Sequence, residues 1–374
     1  MSSLPNPLAG YEDWPSFARQ ASRYVGSDTR AQTLADVLGV FSVSVPCRFA
    51  VEEEWTHAGT SVAELSWSVG FGPTTRAWLV RPQGATEVLP GIAALHPHGV
   101  YKWLGAEQLV DCGVRASVEA RALRQQYYDG LAPATELARR GYVVLAHDTF
   151  SWGSRRFPLE DPGAKVAVGM TALEAWWREL GKRPTEAERY NAAAALHEDS
   201  VAKAAGILGT TFAGTVLYDD LVALEVLSQQ PGVDARRLGC FGLSGGGVRA
   251  ALLAALQPRI GARIVTCMMS TFDSLMPAYL DTHSWLFSSP GLRRVGEWPE
   301  HAAAEAQRPL LVQYGVHDAL FPVDGMRAAD ASLRSLFAAS NAYRGTFYDA
   351  PHAFDASMQA EAWAFFDESL GRPG

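Results

Sequence analysis

Arg237-Leu238-Gly239-Cys240-Phe241-Gly242-Leu243-Ser244-Gly245-Gly246-Gly247-Val248-Arg249-Ala250-Ala251-Leu252-Leu253-Ala254-Ala255-Leu256 is the stretch from which the rest of this chain is read. A short apolar run, a knot of glycines around one serine and a long Ala/Leu tract read as strand, tight turn and helix. A serine at the tip of such a turn is forced into a strained backbone conformation. Glycines two before and two after it, here Gly242 and Gly246, leave room for strand and helix to approach. That is a nucleophile elbow: it lifts the hydroxyl above the sheet edge, and the first amides of the new helix point at whatever binds there. A glycine-rich surface loop with an inert serine is the bland alternative, and it leaves the flanking strand and helix unexplained.

A serine hydroxyl is a poor nucleophile near neutral pH and needs a general base, itself oriented by a third group. Two downstream loops offer the partners. Leu310 to Tyr314 reads as a strand ending in Gly315-Val316-His317-Asp318, and the last strand ends in Asp349-Ala350-Pro351-His352-Ala353-Phe354. The reading is Ser244 as nucleophile, His352 as base and then acid, and Asp318, preferred over Asp324, as the carboxylate that holds the imidazole.

Further outward the chain alternates strand and helix. Residues 1 to about 48 read as a mixed helical, proline-punctuated extension whose packing points are Trp14, Phe17 and Tyr24. Three β-rich runs, 49–55, 62–71 and 75–81, suggest antiparallel strands, followed by a buried strand over 90–95. The stretch 113–140 reads as largely helical, and Tyr142 to Ala146 as another apolar strand. Residues 157–213 carry helical tracts without a convincing strand and read as an insertion or lid. Residues 218–228 read as a helix, 264–269 and 346–348 as strands, and 323–340 and 359–370 as closing helices. The expected fold class is α/β, with a mostly parallel central sheet and helices on both faces.

Composition narrows the function classes. The chain has 374 residues, 48% hydrophobic and 19% charged, with a net charge of -8, values ordinary for a globular enzyme and rich enough in aromatics to argue against disorder. Its Arg-Arg pairs are isolated, so nucleic acid is not an expected partner. Neither a leader at the start nor an apolar run of about 18 residues is legible, so a membrane span is not expected either. Cys47, Cys112, Cys240 and Cys267 are scattered without metal-like spacing and read as reduced residues of a cytoplasmic protein.

Taken together these motifs resemble the α/β-hydrolase superfamily, and more narrowly its dienelactone hydrolase-like and acetyl xylan esterase-like branch. The residues that carry the resemblance are Leu95-His96-Pro97-His98-Gly99, Asp148 to Arg156, Val233 to Leu238, Gly242 to Gly247, Gly315 to Asp318 and Pro351 to Phe354, and it spans about residue 49 to the end. Serine, then acid, then histidine is that superfamily's chain order. The resemblance implies an oxyanion hole with one donor from the amide of Gly245 and the second from the loop after the strand ending at His96. Pro97 has no N–H, so the second donor is expected at His98, with Gly99 as the alternative.

Other residues have two readings. His96 and His98 shape a loop or belong to a metal site, and the lack of a carboxylate or cysteine at ligand spacing favours the loop, so no metal and no cofactor is expected. His283 lines the pocket or is a plain loop histidine; His317 reads as an exposed neighbour of the triad. Trp152, Trp176, Trp177 and Trp285 wall a pocket or fill the core. Arg155 and Arg156 hold a substrate carboxylate or pair with loop carboxylates. The expected function is hydrolysis of a small-molecule ester through an acyl-enzyme, with a preference for acetyl or other short acyl groups implied by the resemblance alone. Lactone, amide or peptide hydrolysis by the same triad is the alternative, then an inactive ligand-binding homologue; a homo-oligomer is compatible with the sequence. Dienelactone hydrolases usually carry cysteine at the nucleophile position, so Ser244 argues against that particular chemistry.

Overall fold

The computed structural model describes residues 6–43, 47–304 and 306–371. The opening residues 1–5, on which the reading of the chain's start partly rests, lie outside them. Strands β1 (Ala50–His57), β2 (Thr60–Trp67), β3 (Thr75–Pro82), β4 (Leu89–Leu95), β5 (Val143–His147), β6 (Val233–Leu243), β7 (Ile260–Thr266), β8 (Leu310–Gly315) and β9 (Tyr343–Tyr348) form one sheet in the order β1-β2-β3-β5-β4-β6-β7-β8-β9. β1, β2, β3 and β5 pair antiparallel in turn, and every neighbour from β5 across to β9 is parallel.

The helices are α1 (Trp14–Gln20), α2 (Thr29–Leu38), α3 (Val118–Tyr127), α4 (Pro133–Ala138), α5 (Ala164–Glu179), α6 (Glu186–Ile207), α7 (Phe212–Ser228), α8 (Gly245–Leu256), α9 (Leu292–Val295), α10 (Trp298–Ala302), α11 (Val323–Leu336) and α12 (Ala356–Leu370). They cover both faces of the sheet, which is why its central strands are unbroken apolar runs. Leu79, Ala93, Leu145, Cys240, Val265 and Val312 face α7 and α8, while their chain neighbours Val80, Ile92, Val144, Phe241, Ile264 and Leu311 face α4 and α12. No single helix among the described residues is long and apolar enough to cross a membrane.

Two regions differ from the sequence reading. The stretch 113–140 is not one helix. Asp129 and Gly130 both take positive φ (53° and 74°), which ends α3, and Pro133 then starts the short α4. β7 begins earlier than expected and stops at Thr266, because Cys267 turns out of the strand with φ 49°. The N-terminal helices lie on the chain's own core rather than standing apart. Trp14 is fully buried with its ring 4.9 Å from that of Phe150, and the Tyr24 hydroxyl donates to the carbonyl of Leu256 at 2.6 Å. Between β5 and β6, residues 157–213 hold α5, α6 and the start of α7 and no strand.

Candidate active site

Ser244 sits between β6 and α8 with φ 56° and ψ -121°, a conformation that L-residues rarely adopt. Its amide donates to the Thr266 carbonyl at 2.8 Å, which fixes the turn to the neighbouring strand. The two motif glycines are sterically required. A Cβ on Gly242 would stand 2.2 Å from the carbonyl carbon of Gly246, and one on Gly246 would stand 2.0 Å from the Leu95 carbonyl oxygen.

β8 delivers Asp318 and β9 delivers His352 to the same carboxyl edge of the sheet. His352 Nδ1 lies 2.6 Å from Asp318 Oδ2, and Asp318 Oδ1 accepts the Leu320 amide at 2.9 Å. The carboxylate is fully enclosed, whereas the His352 ring keeps 17% of its side-chain surface. Asp324 lies on α11 with its side chain 98% exposed, so the buried partner of His352 is Asp318. Ser244 and His352 border one cavity of about 220 Å³, walled by Leu243, Val248, Met268, Leu286, Phe287 and Phe321. No hydrogen bond joins Ser244 Oγ to His352; such contacts are often long until a substrate closes the site.

His98 and Gly245 meet at the cavity floor. A Cβ on Gly245 would fall 2.6 Å from the His98 amide nitrogen, so only glycine lets the two backbones come this close. The loop that carries His98 is held from several sides. Arg249, on α8, donates to the His96 carbonyl at 2.9 Å and is itself clamped by Asp220, which also lies 3.0 Å from the His147 ring. Burial alone would raise the Asp220 carboxyl; Arg249 and His147 outweigh it and hold the group down at about 2.

The imidazole of His98 is also engaged. Its Nδ1 accepts the Val100 amide at 3.1 Å, which leaves the proton on Nε2 to donate to Glu198 at 2.9 Å. The same carboxylate takes Lys102 Nζ at 2.6 Å and, on its other oxygen, the amide of Trp285 at 3.0 Å. Glu198 is on α6, so one insertion residue ties the His98 loop to the 282–287 segment that walls the cavity. Burial would raise this carboxyl, but Lys102 and His98 prevail and keep it below the usual carboxylate range. Removing it leaves a buried ammonium unpaired, which costs about 3–5 kcal/mol. Glu198→Ala is therefore expected to lower both the denaturant midpoint and ester turnover, and Glu198→Gln, which keeps an acceptor, to lose less of each. A Glu198→Ala protein with wild-type midpoint and wild-type rate would remove this role.

The remaining candidates divide. His283 borders the cavity, stacked between Phe287 and Phe321 with centroids 4.9 and 4.7 Å away, and burial lowers it to about 4, so it stays neutral and is a poor base. Trp152 does not wall the cavity. It is buried behind the floor, where its Nε1 donates to the His98 carbonyl at 3.1 Å. Arg155 cannot hold a substrate carboxylate, because it is fully buried, pairs with Asp219 at 3.1 Å and donates to the carbonyls of Phe71 and Pro73. Arg156 lies 4.2 Å from the Trp103 ring centroid and borders a separate groove. His317 is exposed and bonded to Asp349 at 2.5 Å; Trp176 is exposed and Trp177 buried on α5, both away from the triad.

No family model matches the chain. Its sequence is 25% identical over 298 residues to a Bacillus subtilis (strain 168) protein described as "Putative hydrolase YtaP", spanning 79% of this chain and 83% of that one. Among solved structures, a glucuronoyl esterase from Solibacter usitatus superposes with a TM-score of 0.58 at 13% identity, covering 99% of this chain and 98% of that one. An acetyl xylan esterase from Paenibacillus sp. R4 superposes with a TM-score of 0.54 at 15% identity, over 95% and 99% of the two chains. The chain has the α/β-hydrolase fold.

Two parts of this site were not read from the sequence: Glu198 and the Arg249–Asp220–His147 cluster. Only the cluster had a faint signal. Arg249 interrupts an otherwise apolar helix, and Asp219-Asp220 interrupt another, which is the pattern of a charge buried with its partner.

Proposed function

We propose that this α/β-hydrolase is a serine-dependent hydrolase of carboxylic esters with short acyl groups, working through an acyl-enzyme. The observation that carries the reading is the 2.6 Å contact between His352 and enclosed Asp318 at the rim of the cavity that Ser244 enters from a strained turn. Asp318 fixes the imidazole tautomer, so that Nε2 is free to take the serine proton. Ser244 Oγ then attacks the ester carbonyl, and the amides of Gly245 and His98 receive the developing oxyanion. His352 returns the proton to the leaving alcohol, and water repeats the sequence to release the acid. A cavity of about 220 Å³ is smaller than the ~300–1,000 Å³ typical of ligand pockets, which favours acetyl over long acyl chains. The structural neighbours, a glucuronoyl esterase and an acetyl xylan esterase, and the Bacillus subtilis relative described as a putative hydrolase agree with this reading.

Treatment with a fluorophosphonate, followed by intact-mass analysis and peptide mapping, is expected to add one adduct at Ser244. The p-nitrophenyl ester series is expected to be cleaved fastest as acetate and to slow as the acyl chain outgrows the cavity. Absence of an adduct would sink the serine mechanism; an adduct without ester turnover would move the substrate to lactones, amides or peptides.

A further inference from the structure

The mechanism above gives Cys267 no task, yet its position is unusual. It leaves β7 at a positive φ of 49°, and its thiol, on a residue only 2% exposed, donates to the carbonyl of Ala353, the residue after His352. The Cys267 sulfur, a carboxylate oxygen of Asp318 and a ring nitrogen of His352 all lie within 4.8 Å of one another. A thiolate, a carboxylate and an imidazole are the ligand set of Zn²⁺, at bond lengths of about 2.3, 2.0–2.2 and 2.0–2.1 Å around a tetrahedron whose edges are then about 3.3–3.7 Å. The three atoms reach that spacing by side-chain movements of about an ångström or less, the largest being the opening of the 2.6 Å Asp318–His352 contact. Hard oxygen-seeking cations such as Mg²⁺ and Ca²⁺ have little use for the thiolate.

We infer that Cys267, Asp318 and His352 form a Zn²⁺ site whose occupation switches the hydrolase off. Of the three ligands only His352, whose ring is partly exposed, borders the cavity, so the ion reaches the site past that ring. On binding, the hydrated ion sheds water. The thiol gives its proton to solvent, the imidazole stays neutral with its proton on the ring nitrogen that does not bind the ion, and no group changes oxidation state. The ion displaces the hydrogen bond by which Asp318 orients the imidazole, so His352 loses both its tautomer and its freedom to serve Ser244. Cys267 is thus the residue that turns a catalytic pair into a chelate.

The inhibitory half of this inference rests on the ester hydrolase reading; the binding half does not, and the experiment measures them separately. Chelator-stripped protein is titrated with Zn²⁺ against a chromogenic chelator, and with Co²⁺ while the sulfur-to-cobalt charge-transfer absorption is followed. p-Nitrophenyl acetate turnover is read in parallel. Wild type is expected to take up one equivalent, to show the Co²⁺ band and to lose turnover as the ion binds, with recovery on adding chelator. Cys267→Ser and Cys267→Ala are expected to weaken Zn²⁺ binding about 100-fold and to abolish the band while turning over substrate without metal as wild type does. His352→Ala, at a partly exposed loop position, provides a second ligand deletion and is expected to weaken binding by a similar factor. The site is overturned if wild type shows no sulfur-to-cobalt band, or if band and affinity persist in both Cys267 variants. Failure of the ester reading would appear instead as no turnover in metal-free wild type, with the binding data unaffected.

Discussion

Ser244→Ala is expected to reduce kcat for p-nitrophenyl acetate by at least about ten-thousand-fold, with the folded structure and its unfolding midpoint kept. The size of the loss follows from what remains. His352 and Asp318 stay paired and the floor amides still meet the carbonyl, but no atom can carry the acyl group, so turnover falls to what polarised water achieves. Removal of one hydroxyl from a half-buried turn residue costs the fold little, because the Ser244 amide, not its side chain, bonds to Thr266. Retention of even a tenth of the wild-type rate would mean that another group is the nucleophile.

Gly245→Ala is the second large effect, and it separates catalysis from stability. Position 245 opens α8, where alanine favours the helix over glycine by about 1 kcal/mol, so propensity alone predicts a more stable protein. The added methyl group, however, lies 2.6 Å from the His98 amide nitrogen and 2.8 Å from its Cβ. That loop is anchored through Arg249, Trp152 and Glu198, so it yields only by moving the donor away from the oxyanion. A displaced donor costs about 10²–10³ in kcat, with KM much less affected. Steady-state kinetics on a folded Gly245→Ala protein would test this; kcat within twofold of wild type would remove the Gly245–His98 pair from the oxyanion hole.

What could be read from the sequence was local or ordered along the chain. The elbow is a contiguous motif with its steric reason written in its glycines, and Asp318 and His352 follow strands whose apolar runs stand out. The antiparallel start and the parallel centre of the sheet were legible from period and punctuation. Residues that act at a distance were not. Nothing in the neighbourhood of Glu198 points to Lys102 or His98, nearly a hundred residues earlier, because the contact exists only once α6 lies across the sheet. Arg155 and Arg156 are adjacent and chemically identical, yet one is buried against Asp219 and the other lies over Trp103 in a separate groove. Only the path of the loop distinguishes them. Trp152 likewise borders the site from behind, supporting the His98 carbonyl rather than meeting a substrate.

The attachment of α6 to the His98 loop and to the 282–287 wall through a single carboxylate has a consequence for how this protein can diverge. A cover that merely shades a cavity is free to vary with the substrates it admits. Here the same residue sets the shape of the cavity and the position of a backbone donor, so a drift in the insertion registers at once in selectivity and in rate. Variants that gain a larger acyl pocket by loosening α6 would lose turnover on every substrate unless a new partner for Lys102 arises with them.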